Sequence, residues 1–598
     1  MMAIAIVVLL PILLGMIAVA FFRDVAKLRY IAIAAGAISL ALILFVSQGL
    51  TVVPWLSIAG QTLNLSISVT PLNLLLLSLV LLIGLLVLVY SSGYIKSVFD
   101  QRRFYLQMLA FEAAMATFAV SGNFIVLFIA WEFLSLTSYL LIGFLYNKSS
   151  AIRAARKTLT IIFIGDLALL GSIAIFWHVF GTLEFAQIVS SVGTVSSPQL
   201  YIGVLLLLVA IFTKSAQFPF HEWLIDAMEG PTPVSAYLHS STMVKAGVFT
   251  AILLYPLFAA PAISSIIFAI SIVTLVISTL AAAREMHIKK VIAYSTIQEL
   301  SIMLLAISGG AVLAAIYFFF VQSFYKALLF FSSGVVMEAT GKENLDESFG
   351  LGTRKLIYVS TLFGVLSLAG FVPFSGFFSN TGISSSLIHN IPVYLLVSAI
   401  SLLTSFYIVR WFSYLSKGNR RAASVEGNYI SMPKSMVYPI AALAALTLVV
   451  SVFFFSIAGF LSKGGYLSYL PIQPSLSLNI ADAAIFTALI AIGAALSYLV
   501  YYKNSIKASE KSLDRLIYTG PIVNGFYNIV AVITSGFSNG ISEFDIRLNE
   551  MFDRLGMLTV RSGYGIRRAS VGSINAYAAI FIIGILVMFV SFYFLVIV

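Results

Sequence analysis

The chain contains no cysteine, which excludes disulfides, cysteine nucleophiles and thiolate-held iron–sulfur clusters on this polypeptide. Histidine is scarce too, five residues scattered singly among 598, so no metal centre is expected. No GxGxxG or GxxxxGKS/T loop opens a helix after a strand, which argues against nucleotide binding. Charge itself is in short supply. Asp, Glu, Lys and Arg make up 10% of the chain, against roughly 25% in a soluble domain. Hydrophobic residues supply 61%, the balance of a chain whose solvent is lipid. If the protein works in a redox machine, the redox groups sit on another polypeptide and this chain carries no cofactor.

What charge there is sums to +11, but the Lys and Arg residues fall in short clusters between apolar runs. That placement speaks for membrane topology and against nucleic acid. A helix needs about 20 apolar residues to cross the hydrocarbon core. Candidate spans begin near residues 2, 29, 71, 104, 123, 158, 200, 231, 262, 289, 311, 355, 391, 437, 481 and 575, about sixteen in all. The first is read as a helix, not a removed signal, since no small-residue cleavage site follows it. Basic residues follow the odd-numbered spans, as with Arg23, Lys27 and Arg29, Lys148 to Lys157, and Arg284, Lys289 and Lys290. The intervening stretches 48–70 and 181–199 are nearly free of them. By the positive-inside rule both termini are expected outside. Alternating polar and apolar residues over 48–70 predict an external hairpin.

An ionised side chain at the bilayer centre costs roughly 2.5–3.5 kcal/mol on the mildest scale. This sequence places Glu112, Glu132, Asp166, Lys214, Lys245, Glu299 and Lys326 near the middle of apolar spans. A single such lysine is readily a snorkelling side chain or a static ion pair. So many, of both signs, predict a polar path through the protein. Arg410, near the end of its span, is expected to snorkel. His239 fits either a hydrogen-bonded structural role or a proton relay.

Two spans look interrupted, the seventh at Phe218-Pro219-Phe220 and the twelfth at Gly370-Phe371-Val372-Pro373. Proline breaks the helical ladder, which a membrane tolerates only beside protein or a wet cavity. The breaks lie five spans apart, so their helices run in opposite directions. That is the pattern of an inverted repeat, spans four to eight against nine to thirteen. The expected fold is an all-α polytopic membrane protein. Its parts are N-terminal helices and hairpin (1–103), a first inverted repeat (104–258), a second (259–414) and C-terminal core helices (415–502). A lateral amphipathic helix in the interface (503–573) and a final anchor (574–598) follow. The uncharged stretch 521–540 is long enough to span, but its Asn, Gly and Ser content speaks against it.

At the interrupted spans the chain resembles the antiporter-like subunits of respiratory complex I, most nearly the L subunit. The resemblance rests on Trp131-Glu132 leading to Ser138-Tyr139-Leu140-Leu141-Ile142-Gly143-Phe144, and on Lys214-Ser215-Ala216-Gln217. It continues through Gly230-Pro231-Thr232-Pro233-Val234-Ser235-Ala236, Val291-Ile292-Ala293-Tyr294-Ser295-Thr296 and Lys326-Ala327-Leu328-Leu329-Phe330. It is dense over spans five to eleven; elsewhere the likeness is one of layout. It implies fourteen core helices with two inverted five-helix repeats, and the charged tail fits the L subunit's lateral helix and final span. It also implies that Glu132 and Lys214 are the coupled pair of a first half-channel, with Asp166 as modulator and Lys326 as the central lysine of a second. Lys245 resembles the residue found in Mrp-type cation/proton antiporters and would bridge the halves.

Asn380 stands where the L subunit usually has lysine, and Gln322 and Phe318 stand where histidines usually precede the central lysine. Glu299 replaces a usual glutamine. Either another group serves the external exit, with His389 or water as candidates, or the chain completes no proton path. The expected function is proton translocation in a complex I-like quinone oxidoreductase of a prokaryotic plasma membrane, beside neighbouring antiporter-like subunits. A sodium/proton antiporter of Mrp type and a non-conducting scaffold are the alternatives.

Overall fold

The computed structural model describes residues 2–502 apart from 59–60, 97, 196, 349, 352–353, 388–389, 418–431 and 463–479, together with residues 550, 554 and 557. Two compact units emerge, Met1–Tyr498 and Leu499–Val598. In the second, Arg554 pairs with Glu550 at helical i,i+4 spacing, 3.8 Å. The expected lateral helix and final anchor otherwise lie outside the described residues.

The first unit is helical apart from one hairpin. Helices α1 (Met2–Phe21) and α2 (Leu28–Leu42) lead to strands β1 (Gly49–Ile58) and β2 (Gln61–Val69), paired antiparallel as the alternation predicts. Helix α3 (Pro71–Tyr94) starts where Thr70 and Asn73 form a reciprocal cap, with Pro71 in the first turn. Then come α4 (Val98–Ala119), α5 (Phe124–Ile142), α6 (Ser149–Phe180) and the short α7 (Phe185–Ser191).

The seventh expected span is α8 (Pro198–Lys214), which stops at Lys214 and resumes as the short α9 (Glu222–Asp226) beyond Pro219. The eighth, expected as one helix from 231 to 258, is two: α10 (Thr232–Ser240) and α11 (Met243–Leu253). Nothing in its sequence advertises this break, because Ser241 and Thr242 are tolerated in helices. Next follow α12 (Pro261–Arg284), α13 (Ile288–Ser308) and α14 (Val312–Thr340). The twelfth span divides into α15 (Lys355–Ala369) and α16 (Ser375–Leu387) across Pro373. Gly370, at φ +87°, ends α15 in the left-handed region that only glycine enters freely. The remaining helices are α17 (Ile391–Lys417), α18 (Lys434–Val452), α19 (Ile457–Ser462) and α20 (Ile480–Ser497).

Ten helices among the described residues are long and apolar enough to cross a membrane. Broken spans explain part of the difference from sixteen, since α8 and α15 are apolar but short. The loops sort by charge. The hairpin, the start of α5 and the 182–184 loop meet at one end, where Ser66 Oγ and Asn123 Nδ2 both donate to Glu184 Oε1, over 2.7 and 3.0 Å. At the other, Lys96 pairs with Glu338, and Lys289 Nζ donates to the Gly230 carbonyl over 2.8 Å. Loop 285–288 there bonds to loop 341–345 through Ile288 N to Glu343 O and Leu345 N to Met286 O, both 2.8 Å. These contacts bring the basic-poor stretches 48–70 and 182–184 together, and loop 285–288 together with loop 341–345.

The centre of the unit is α13 and α14, whose spanning windows are 89% and 94% buried, against 39% for α12. Polar residues on these two helices therefore face protein, not lipid.

Candidate functional site

Lys214 is fully buried and closes α8, where an ammonium opposes the negative end of the helix dipole. Its Nζ lies 3.8 Å from Asp166 Oδ1, 2.6 Å from Ser135 Oγ and 3.3 Å from the Trp131 carbonyl. Ser135 Oγ donates to Asp166 Oδ2 over 2.9 Å, and Trp131 Nε1 to Oδ1 over 2.7 Å. The Trp131 ring centroid sits 4.7 Å from the ammonium, within cation–π range. Both charges thus have partners, the condition for keeping an ion pair away from water. The carboxylate beside Lys214 is Asp166. Glu132, named by resemblance as the partner, is half-buried on α5 and forms no ion pair among the described residues.

Beyond Lys214 the backbone turns out of the helix. Ala216 adopts φ +50°, which a residue with a Cβ rarely enters. Gln217 N reaches the Phe212 carbonyl at 2.8 Å, and Trp223 Nε1 takes the Thr213 carbonyl at 2.7 Å. Ser215 Oγ donates to the Val244 carbonyl over 2.9 Å, joining the neighbour of Lys214 to the neighbour of Lys245. A Cβ on Gly247 would stand 2.4 Å from Ser215 Oγ and 2.6 Å from the Ile211 carbonyl. Glycine there lets α11 lie against α8.

Lys245, also fully buried, donates to the Phe319 carbonyl and to Ser323 Oγ on α14. One turn further along α14 is Lys326, whose Nζ meets Glu299 Oε2 at 2.8 Å and Ser295 Oγ at 2.5 Å. Glu299 also accepts from Tyr325 Oη at 2.9 Å and from Gln322 Nε2 at 3.0 Å. Past it lies a cavity of about 10 Å³, room for one water-sized occupant. Glu299, Gln298, Tyr325, Asn380, Ser401 and Thr404 supply its polar lining. Gln298 is fixed there by Thr404 and Tyr407, each at 2.6 Å.

The structure thus shows two buried polar clusters, Asp166 with Lys214 and Lys245 with Lys326, Glu299 and the Asn380-lined cavity, whose helices meet where Ser215 Oγ bonds the Val244 carbonyl. Pro219 and Pro373 mark breaks as expected; both follow cis peptide bonds. His239 is fully buried between Trp223 and Phe330, and neither ring nitrogen has a hydrogen-bond partner among the described residues. Arg410 does not snorkel. It is 6% exposed and donates to the Ala282 and Glu285 carbonyls, at 3.3 and 2.6 Å, capping the end of α12. His389 lies outside the described residues. The serines around these lysines, Ser135, Ser215, Ser295 and Ser323, escaped sequence reading because hydroxyls are common in membrane helices. Tyr325 carried one signal, its place beside Lys326.

Residues 121–406 match the family described as NADH:quinone oxidoreductase/Mrp antiporter, TM. Residues 55–105 match that described as NADH-Ubiquinone oxidoreductase (complex I), chain 5 N-terminus. Over those residues the chain is similar to this antiporter-like subunit family. NADH-quinone oxidoreductase subunit L of Buchnera aphidicola is 36% identical over 365 residues, covering 60% of this chain and 59% of that protein. One Na(+)/H(+) antiporter subunit of Alkalihalophilus pseudofirmus is 35% identical over 348 residues, 55% of this chain and 43% of that one. NAD(P)H-quinone oxidoreductase subunit 5 of Zygnema circumcarinatum chloroplasts is 34% identical over 395 residues, 63% and 56%. The chain thus spans about half the length of these last two relatives.

Two solved structures have a similar fold. One is the Mrp complex from Dietzia, with a TM-score of 0.68 at 24% identity over 95% of this chain and 64% of that one. The other is the membrane-bound sulfane sulfur reductase, an archaeal respiratory membrane complex, at 0.67 and 19% over 80% and 99%.

Proposed function

We propose that this chain is the proton-translocating, L-type subunit of a complex I-like quinone oxidoreductase, driven by electron transfer on other subunits. The observation that supports the reading is the presence of two buried lysine–carboxylate pairs, Lys214 with Asp166 and Lys326 with Glu299, with Lys245 one turn from the second. Two opposite charges about 4 Å apart attract by about 4 kcal/mol at an effective dielectric of 20. Moving a carboxylate away from an ammonium therefore changes its hold on a proton by orders of magnitude. Displacement of Asp166, or a change of charge on nearby Glu132, releases the Lys214 proton toward Lys245. Lys245 passes it along Ser323 to Lys326, and Glu299 with the Asn380 cavity takes the part of the exit.

The setting follows from the same reading: a prokaryotic plasma membrane, both termini outside, two inverted five-helix repeats within about sixteen spans, and no redox group on this chain. Neighbouring antiporter-like subunits flank it, and residues 503–598 clamp the assembly through the lateral helix and anchor. Lys245 and the likeness to a Na(+)/H(+) antiporter component favour a second reading, a sodium/proton antiporter of Mrp type. The test is Lys214→Met and Lys326→Met in vesicles holding the assembled complex. Loss of quinone-driven proton uptake supports the first reading. Loss of sodium-driven exchange, in a complex without quinone reductase activity, supports the second. Unchanged transport in both leaves a scaffold.

A further inference from the structure

Besides Glu132, one more mid-span carboxyl, Glu112, stands apart from these clusters. Glu112 on α4 is 1% exposed, and its Oε1 has no hydrogen-bond donor among the described residues. No described basic side chain pairs with it. Two glycines on neighbouring helices make room for it. A Cβ on Gly84 of α3 would fall 2.7 Å from Oε1, and one on Gly36 of α2 would fall 3.9 Å from it. That same Gly84 position is 2.7 Å from Tyr237 Oη, so carboxyl and phenol crowd one spot on α3. Tyr237 belongs to α10, stacks edge-on against Phe111, and donates to the Val80 carbonyl over 2.9 Å. It is the titratable group that faces Glu112.

A buried carboxylate without a donor is costly, whereas the protonated acid buries at far less expense. We propose that Glu112 is a further proton-binding site of this chain, whose occupancy selects the hydrogen-bond partner of Tyr237. With the proton on, the Tyr237 hydroxyl donates to Val80, as the structure has it. With the proton released, the carboxylate is the stronger acceptor and draws that hydroxyl from α3. The balance is one proton, lost from the acid to water, and one hydrogen bond exchanged, Val80 for Glu112.

The exchange acts on a helix with somewhere to move. α10 ends three residues after Tyr237 at the unforeseen break, and Ser240, one turn from Tyr237, and Ser241 both carry buried hydroxyls without partners among the described residues. Across the break, Lys245 N bonds to the Thr242 carbonyl over 2.9 Å. Proton occupancy at Glu112 thus reaches the base of the bridging lysine from the α2–α4 side, independently of Asp166. This influence on transport rests on the relay proposed above; the binding site does not.

Infrared difference spectroscopy on the assembled complex, wild type minus Glu112→Gln, tests the site. The expected result at neutral pH is a carboxylic-acid carbonyl band that shifts in Tyr237→Phe. A difference showing only carboxylate bands overturns the proposal, and a band indifferent to Tyr237→Phe overturns the partner exchange. Glu112→Gln holds the site in its protonated likeness, so transport is expected to lose pH dependence that wild type shows. Lys326→Met is the control: it removes transport but leaves the Glu112 band. Retained transport in Lys326→Met with the band present sinks the relay and spares the site.

Discussion

Ser215 Oγ and the Val244 carbonyl, 2.9 Å apart, tie the residue after Lys214 to the residue before Lys245. The two lysines sit on separate helices, and this bond, with Gly247 beneath it, fixes how near those helices come. Gly247→Ala is expected to wedge them apart, because its Cβ would enter the space of Ser215 Oγ and the Ile211 carbonyl. A shift of about 1 Å in a proton-passing contact costs on the order of a hundredfold in rate. Proton uptake should fall by that order while a native gel still shows the complex intact.

Asp166→Asn and Glu132→Gln should part company. The first strips a fully buried ammonium of its counter-charge, a loss of roughly 3–5 kcal/mol. The second removes a half-buried group outside the pair. Thermal unfolding in detergent is expected to drop clearly for Asp166→Asn and little for Glu132→Gln. Equal drops would mean that Glu132 is the structural partner.

Glu299 and Lys326 meet at 2.8 Å, so their effects should not add. Transport in Glu299→Gln is expected to fall on the order of a hundredfold. Adding Lys326→Met should lower it little further, with a coupling energy of roughly 0.5–3 kcal/mol in a double-mutant cycle. Additive losses would place the two groups on separate paths.

At the basic end of the bundle, Glu343 lies outside the helices, and its carboxyl is held down at about 2. The largest cause is its bond to His287, with which it pairs at 3.5 Å; burial pushes the other way. A depressed carboxyl stabilises the fold fully above its ordinary 4.5 and loses that contribution as pH falls through about 2. Hydrogen exchange at the Ile288 and Leu345 amides, which cross-link the two loops, should therefore stay slow down to about pH 4.5 and quicken below. Quickening on the alkaline side instead would assign the contact to another group.

Much of this was legible beforehand. Charges written into apolar runs gave away Lys214, Lys245, Lys326, Asp166 and Glu299, because lipid makes such residues conspicuous. The prolines at 219 and 373 announced two breaks, and the basic loops divided the bundle into its two ends. Distances were not legible. Asp166 and Glu132 lie on different helices, and only packing decides which carboxylate Lys214 meets. The break at Ser241 and Thr242 had no proline to mark it. Arg410 read as a snorkelling residue because a sequence does not show that the α12 carbonyls wait beside it.

The near-complete enclosure of α13 and α14 has a consequence for redesign. A helix touching lipid must keep its outer face oily, whatever its inner face does. These two have almost no outer face, so changes at Glu299, Gln322 or Phe318 leave membrane anchorage to the surrounding ring of helices. The enclosed polar residues and the lipid-facing surface lie on different helices, and the former can be changed one residue at a time without touching the latter.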